Sequence, residues 1–218
     1  RSFCVLYRIT AKSISPYRTN RIIKITAIAK AIVKPLLPPF IISRRKIANT
    51  NANDLRDLAI YVNGTGIYSN GITETTAHDC SGKYFKQTFD ITLSGEGEPI
   101  GANNHQVTGI YDGDNNKISG LTVNGSYIYA GLFGYTHYKT SSYQCVQKNI
   151  IVENCDIDVS GLASSFAGGI VSYGGDDTEV KNCRVSGTIK ATTSAGGIAG
   201  RCGLSPTVMS ARATNASP

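Results

Sequence analysis

The sequence predicts an all-β fold: a short right-handed parallel β-solenoid, or β-helix, with one helix at its N-terminal side. Three observations predict it. Glycine is abundant at 23 residues and tryptophan is absent, a composition that favours short strands and tight turns. Three short segments of alternating apolar residues recur between residues 95 and 200. Each is followed by an Ala-Gly signature, at Ala130-Gly131, Ala167-Gly168 and Ala195-Gly196.

Residues 1–46 form the first zone. They hold 11 of the 22 Lys and Arg and no Asp or Glu, and Pro35, Pro38 and Pro39 interrupt them. This basic, unpatterned segment is expected to be poorly ordered. It also makes the net charge of +7 misleading, because residues 47–218 carry 11 basic and 15 acidic side chains. The patterned part is mildly acidic, so nucleic acid is not an expected partner. The apolar stretch Ile22–Ile42 is broken by Lys24, Lys30 and Lys34, so neither a membrane span nor a signal-peptide core is predicted.

A helix is predicted over 54–62. Asn53-Asp54 supplies an N-cap, Leu55, Leu58, Ala59 and Val62 fall on one face, and Asn63-Gly64 ends it. One period-2 strand is then predicted from Phe85 to Leu93, with Phe85, Gln87, Phe89, Ile91 and Leu93 on its mostly apolar face.

The repeats follow. Ile118, Val152 and Val180 open the three segments, and a corner stands two residues later at Gly120, Asn154 or Asn182. Two alternating apolar residues come next: Leu121 and Val123, Cys155 and Ile157, Cys183 and Val185. The corners are 34 and 28 residues apart, a spacing suited to stacked repeats. A short strand with one apolar face cannot bury it alone, whereas stacked copies form a continuous core. Glycine or asparagine at a corner tolerates the left-handed backbone that a sharp turn requires. Gly131, Gly168 and Gly196 permit close backbone approach in the strands that follow. The longer first step implies a loop at 137–144, and residues 201–218 drop the pattern.

Tyr129-Ala-Gly-Leu-Phe-Gly-Tyr, Phe166-Ala-Gly-Gly-Ile-Val and Ser194-Ala-Gly-Gly-Ile-Ala-Gly resemble the GLUG motif family. These glycine-rich repeats belong to bacterial surface and secreted proteins, including filamentous-haemagglutinin-like adhesins and IgA-peptidase-type proteins. The resemblance covers about residues 47–200. It implies an extracellular or cell-surface module for adhesion or structural display, without catalysis and without a cofactor. The partner it implies is a host or surface glycan or protein. Three repeats are close to the minimum for a stable stack, and an unpaired last strand invites edge-to-edge self-association. The unmatched ends, 1–46 and 201–218, carry the further expectation that the chain is a fragment of a longer protein.

Several residues able to do chemistry also have plainer roles open to them. Asp112-Gly-Asp114-Asn-Asn116 opens like a calcium loop, yet Lys117 and Val123 stand where such a loop needs Gly and Glu; a corner is expected. Cys155 and Cys183 occupy equivalent repeat positions and are expected to be buried free thiols rather than a disulfide. Neighbours such as His78-Asp79-Cys80 seldom converge on one metal or catalytic site. Asp156, Asp158, Asp176, Asp177 and Glu179 are the carboxylates that a solenoid carbohydrate-active enzyme would need, and Asp156 and Asp158 should point outward. Tyr127, Tyr129, Tyr135, Tyr138, Tyr143 and Tyr173 make the surface aromatic, and Tyr135, Tyr138 and Tyr173 are the expected ligand-facing residues. The glycosylation sequons at Asn63, Asn124 and Asn215 carry no expected role in a bacterial protein.

Overall fold

A computed structural model of the chain describes residues 47–102, 105–137, 145–176, 178–203, 207–209 and 212–214. The basic segment 1–46 lies outside the described residues. The described residues form mostly short strands, with one helix among them.

Strand β1 (Ile47–Asn49) leads into helix α1 (Ala52–Asn63) and an antiparallel pair, β2 (Gly66–Ile67) and β3 (Thr73–Glu74). Next come β4 (Tyr84–Gln87), β5 (Ile91–Thr92), β6 (Ile110–Asp112), β7 (Lys117–Ser119), β8 (Thr122–Asn124), β9 (Tyr129–Ala130) and β10 (Phe133–Thr136). The order then recurs as β11 (Cys145–Lys148), β12 (Ile151–Val159), β13 (Phe166–Gly168) and β14 (Val171–Gly174). It recurs again as β15 (Thr178–Lys181), β16 (Arg184–Ala191), β17 (Ser194–Gly196) and β18 (Ala199–Cys202). Two more strands, β19 (Thr207–Met209) and β20 (Arg212–Thr214), complete it.

Equivalent strands pair in parallel across successive repeats. One sheet runs β1-β4-β6-β11-β15-β19 and another β5-β7-β12-β16-β20, with β8 also on β12. Two three-stranded sheets run β9-β13-β17 and β10-β14-β18. The pairing continues past residue 200, because β19 bonds to β15 and β20 to β16. The C-terminal tail, read from sequence as unpatterned, therefore carries strands of the same sheets.

The core is the shared inner side of these sheets. Ile118, Val123, Ala130, Phe133, Ile150, Ile157, Ala167, Ile170 and Val171 are fully buried. Each strand is too short to bury a face by itself, so apolar burial between repeats supplies the cohesion.

Helix α1 starts earlier than the sequence reading placed it. Its N-cap is Asn51, whose Oδ1 accepts from Asp54 N at 3.1 Å, while Asp54 Oδ2 accepts from Thr50 N at 2.8 Å. The asparagine cap wins because the Asp54 carboxylate is then free to hold the residue preceding it. Gly64, at φ 71°, ends the helix through its N–H to Ile60 O. Asn63 is buried and ties this end down: Oδ1 accepts from Gly101 N and Ala102 N, and Nδ2 donates to Glu98 Oε1 and Pro99 O. As a sequon residue it is sealed away.

The predicted strand 85–93 is two strands in two sheets. Gln87 Nε2 donates to Phe89 O at 2.8 Å and Lys117 O at 2.9 Å, and Asp90 Oδ1 accepts from Lys117 N at 2.8 Å. These bonds hold a corner at Thr88–Asp90. Phe89, predicted inward, is 64% exposed.

Candidate functional site

The bends between β9 and β10, β13 and β14, and β17 and β18 depend on glycine. A Cβ on Gly168 would stand 2.1 Å from Val171 O, and one on Gly196 would stand 2.0 Å from Ala199 O. No side chain fits there, so the two arms of each bend fold close together. Ser172 Oγ spans its bend by donating to Phe166 O at 2.7 Å, and Ser194 Oγ donates to Gly200 O at 2.6 Å. Ala130, Ala167 and Ala195 are register partners, as are Gly168 and Gly196.

This geometry gathers aromatic side chains from both arms. On one arm Tyr129 pairs with Phe166. On the other, Tyr135 pairs with Tyr173 and Tyr173 with Arg201. Parallel in-register stacking turns these positions into one column. Ring centroids are 5.0 Å apart for Tyr135–Tyr173, 5.6 Å for Tyr129–Tyr173, 5.7 Å for Tyr129–Tyr135 and 5.8 Å for Tyr129–Phe166. The Arg201 guanidinium lies 5.3 Å from the Phe166 centroid and 5.4 Å from that of Tyr173, covering the end of the column. His137 meets Tyr135 edge-on at 6.0 Å.

The three tyrosines are half-buried and Arg201 is exposed. Desolvation, then the neighbouring Tyr173, Tyr129 and Asp176, push the Tyr135 hydroxyl above its ordinary value. It stays protonated at neutral pH and can donate. The column thus offers flat apolar rings with hydroxyl edges and one guanidinium, which suits a ligand with an apolar ring face and a polar rim.

Two of the three expected ligand-facing residues, Tyr135 and Tyr173, are in contact here; Tyr138 lies outside the described residues, as does the loop around it. The sequence marks Tyr129 only as one surface tyrosine among several, and it does not single out Phe166, His137 or Arg201. Their signal was positional: 129, 166 and 194 each precede the Ala-Gly pair, and 173 and 201 match 135 by register.

Of the three corner residues, Gly120 and Asn154 align as expected and Asn182 does not. Gly120 and Asn154 hold left-handed backbone at φ 72° and 55°, and Asn182 does so at 52°. Asn182, however, is not the counterpart of Asn154. It bonds to Asn149, and Arg184 pairs with Ile151, so Asn182 matches Asn149 and Cys183 matches Ile150. Val152 pairs with Val185 and Cys155 with Gly187, while Val180 pairs with Gln147 in a different sheet. A bulge between Val152 and Cys155 absorbs one extra residue and shifts the register.

Cys155 and Cys183 are therefore not stacked on each other. Both are buried and free, as are Cys80 and Cys145. Burial pushes the Cys155 and Cys183 thiols up to about 11.

His78, Asp79 and Cys80 diverge. His78 stacks on Tyr61 at 4.3 Å and meets Glu74 at 2.8 Å, Asp79 accepts from Thr108 Oγ1, and Cys80 is buried. Asp112–Asn116 is a corner, with Asp114 and Asn115 at positive φ and Asp112 Oδ1 accepting from Asp114 N. Asp156 is exposed and Asp158 is half-buried, between the buried Cys155, Ile157 and Val159, and Asp158 pairs with Lys190 at 3.1 Å. Among the described residues, no group of three His, Cys, Asp or Glu is placed to hold a metal ion, and no helix is long and apolar enough to cross a membrane.

No protein-family model, curated protein or solved structure matches the chain.

Proposed function

We propose that the chain is a non-catalytic surface or secreted module: a right-handed parallel β-solenoid of the GLUG kind that adheres to a glycan or protein through its aromatic column. The solenoid reading is supported by four parallel sheets that add strands in chain order, and the right hand by the general rule for parallel crossovers. The observation that carries the adhesive reading is the register Tyr135–Tyr173–Arg201 beside Tyr129–Phe166. Rings held by stacked backbones lose little freedom on binding, which favours them as contact residues. Among the described residues β17 and β18 each bond on one side only, which supports a second, edge-to-edge mode of self-association.

Glycan-array binding by the full chain tests the adhesive reading. Binding that falls about tenfold or more in Tyr135→Ala and Tyr173→Ala supports it. Binding unchanged by both variants, or reducing sugar released from a polysaccharide panel, overturns it.

A further inference from the structure

We infer that a second site, the cavity between α1 and the segment Ser94–Glu98, takes a small organic cation with an apolar body. The cavity has a volume of about 400 Å³, within the range of small-molecule sites. It lies on other residues than the aromatic column.

The space exists for a local reason. The segment facing α1 reads Ser-Gly-Glu-Gly-Glu, so two of its residues contribute no side chain. Gly95 holds φ 78°, and a Cβ there would meet nothing within 4 Å. Asn63 keeps the gap from collapsing, since its bonds to Glu98, Pro99, Gly101 and Ala102 fix the end of α1 to this stretch. The site is thereby preformed, which lowers the entropy cost of binding.

Its chemistry is divided. Leu55, Leu121 and Leu132, all buried, form apolar wall. Glu96, Glu98 and Tyr127 form the polar side. The Tyr127 hydroxyl is pushed above its ordinary value, first by desolvation and then by the nearby charges of Glu98 and Glu96. Arg56 is the one Lys or Arg on the lining, against two carboxylates. Charge complementarity therefore selects a cation. Its ammonium meets Glu96, Glu98 and the Tyr127 ring, while its apolar body replaces water against the leucines.

Calorimetry with the full chain and three probes that share one phenyl body separates the possibilities: 2-phenylethylamine, 2-phenylethanol and 3-phenylpropionate. The amine is expected to bind one to one, about tenfold or more tighter than the alcohol or the acid. Glu96→Gln should remove most of that preference and leave alcohol binding unchanged; among the described residues Glu96 bonds to no other side chain, so the variant should fold. Leu132→Trp should block all three probes, and a circular dichroism spectrum like that of the parent chain shows that it has folded. Tyr173→Ala should leave amine binding unaltered. Equal affinities, tighter binding of the acid, no binding, or loss of amine binding in Tyr173→Ala would each overturn the assignment.

Discussion

Asn182 donates through Nδ2 to Asn149 Oδ1 at 2.7 Å, and both residues hold left-handed backbone, at φ 52° and 54°. Asn115, one repeat earlier, has φ 62° and its Oδ1 lies 3.4 Å from the same amide. Three corners are thus stacked and joined by side chains. Asparagine is suited to this because it tolerates the left-handed region and carries both a donor and an acceptor.

Replacing the central member should separate strain from bonding. Asn149→Ala loses the bond to Asn182 and the one to Asp112, and forces a Cβ-bearing residue without local compensation to positive φ. A loss of about 2 kcal/mol is expected. Asn149→Gly loses the bonds alone and should cost about 1 kcal/mol. Urea unfolding midpoints report both, and equal losses would remove backbone strain from the explanation.

The bends should tolerate no side chain. Gly168→Ala places a methyl group 2.1 Å from Val171 O and 2.7 Å from Gly200 N, both backbone atoms that cannot step aside separately. A destabilisation of about 3 kcal/mol or more is expected. Gly161→Ala, where a Cβ meets nothing within 4 Å, is the matched control and should stay within about 0.5 kcal/mol of the parent chain. Thermal melts of the two variants give the comparison.

Acid should weaken the fold through two carboxylates. Burial alone would raise Glu74, but hydrogen bonds from Tyr68, His78, Thr76 N and Thr75 N hold it down at about 2. Burial likewise opposes Asp112, and bonds from Tyr84, Asn149 and Asp114 N with the Lys148 charge hold it at about 2. Both folded values lie below the ordinary 4.5 and 3.8. Their stabilisation is therefore complete above those values and is lost as pH falls towards 2, each on the order of 2–3.5 kcal/mol. Urea unfolding at a series of pH values should show this slope, and Glu74→Gln should flatten it.

Thiol reactivity should follow burial. Cys80, Cys145, Cys155 and Cys183 are buried and Cys202 is exposed. Burial pushes Cys80 up to about 12 and Cys145 to about 11, which leaves almost no thiolate at neutral pH. Ellman titration followed by peptide mapping should find Cys202 labelled in the native protein and the four buried thiols labelled only in denaturant. Labelling of Cys155 or Cys183 under native conditions would contradict the packing.

Much of this fold was legible where chemistry leaves one solution. The Ala-Gly strings coincide with the bends because only glycine admits the backbone contacts at Gly168 and Gly196. The end of α1 at Asn63-Gly64 was legible for a similar reason. The corners were harder. Asn154-Cys155 and Asn182-Cys183 are identical dipeptides, yet Asn182 aligns with Asn149, ahead of β12, while Asn154 lies within β12. Local similarity carries no information about a register set by pairing with a distant strand. Phe89 misled for another reason: alternation continues through Thr88–Asp90, while the corner there is held by Gln87 and Asp90. In the aromatic column, residue type gives no sign of Arg201, because its register with Tyr173 defines its place.

The chain-order growth of every parallel sheet has a mechanical consequence. Among the described residues each repeat bonds to its neighbours in chain order, so tension applied across the sheets should act along the inter-repeat hydrogen bonds and open them one repeat at a time. A repeat such as Ala167 to Ala195 spans 28 residues and would release roughly 100 Å of chain when extended. Under load the described strands are expected to open in discrete steps of about that length, which a single-molecule force-extension trace would read.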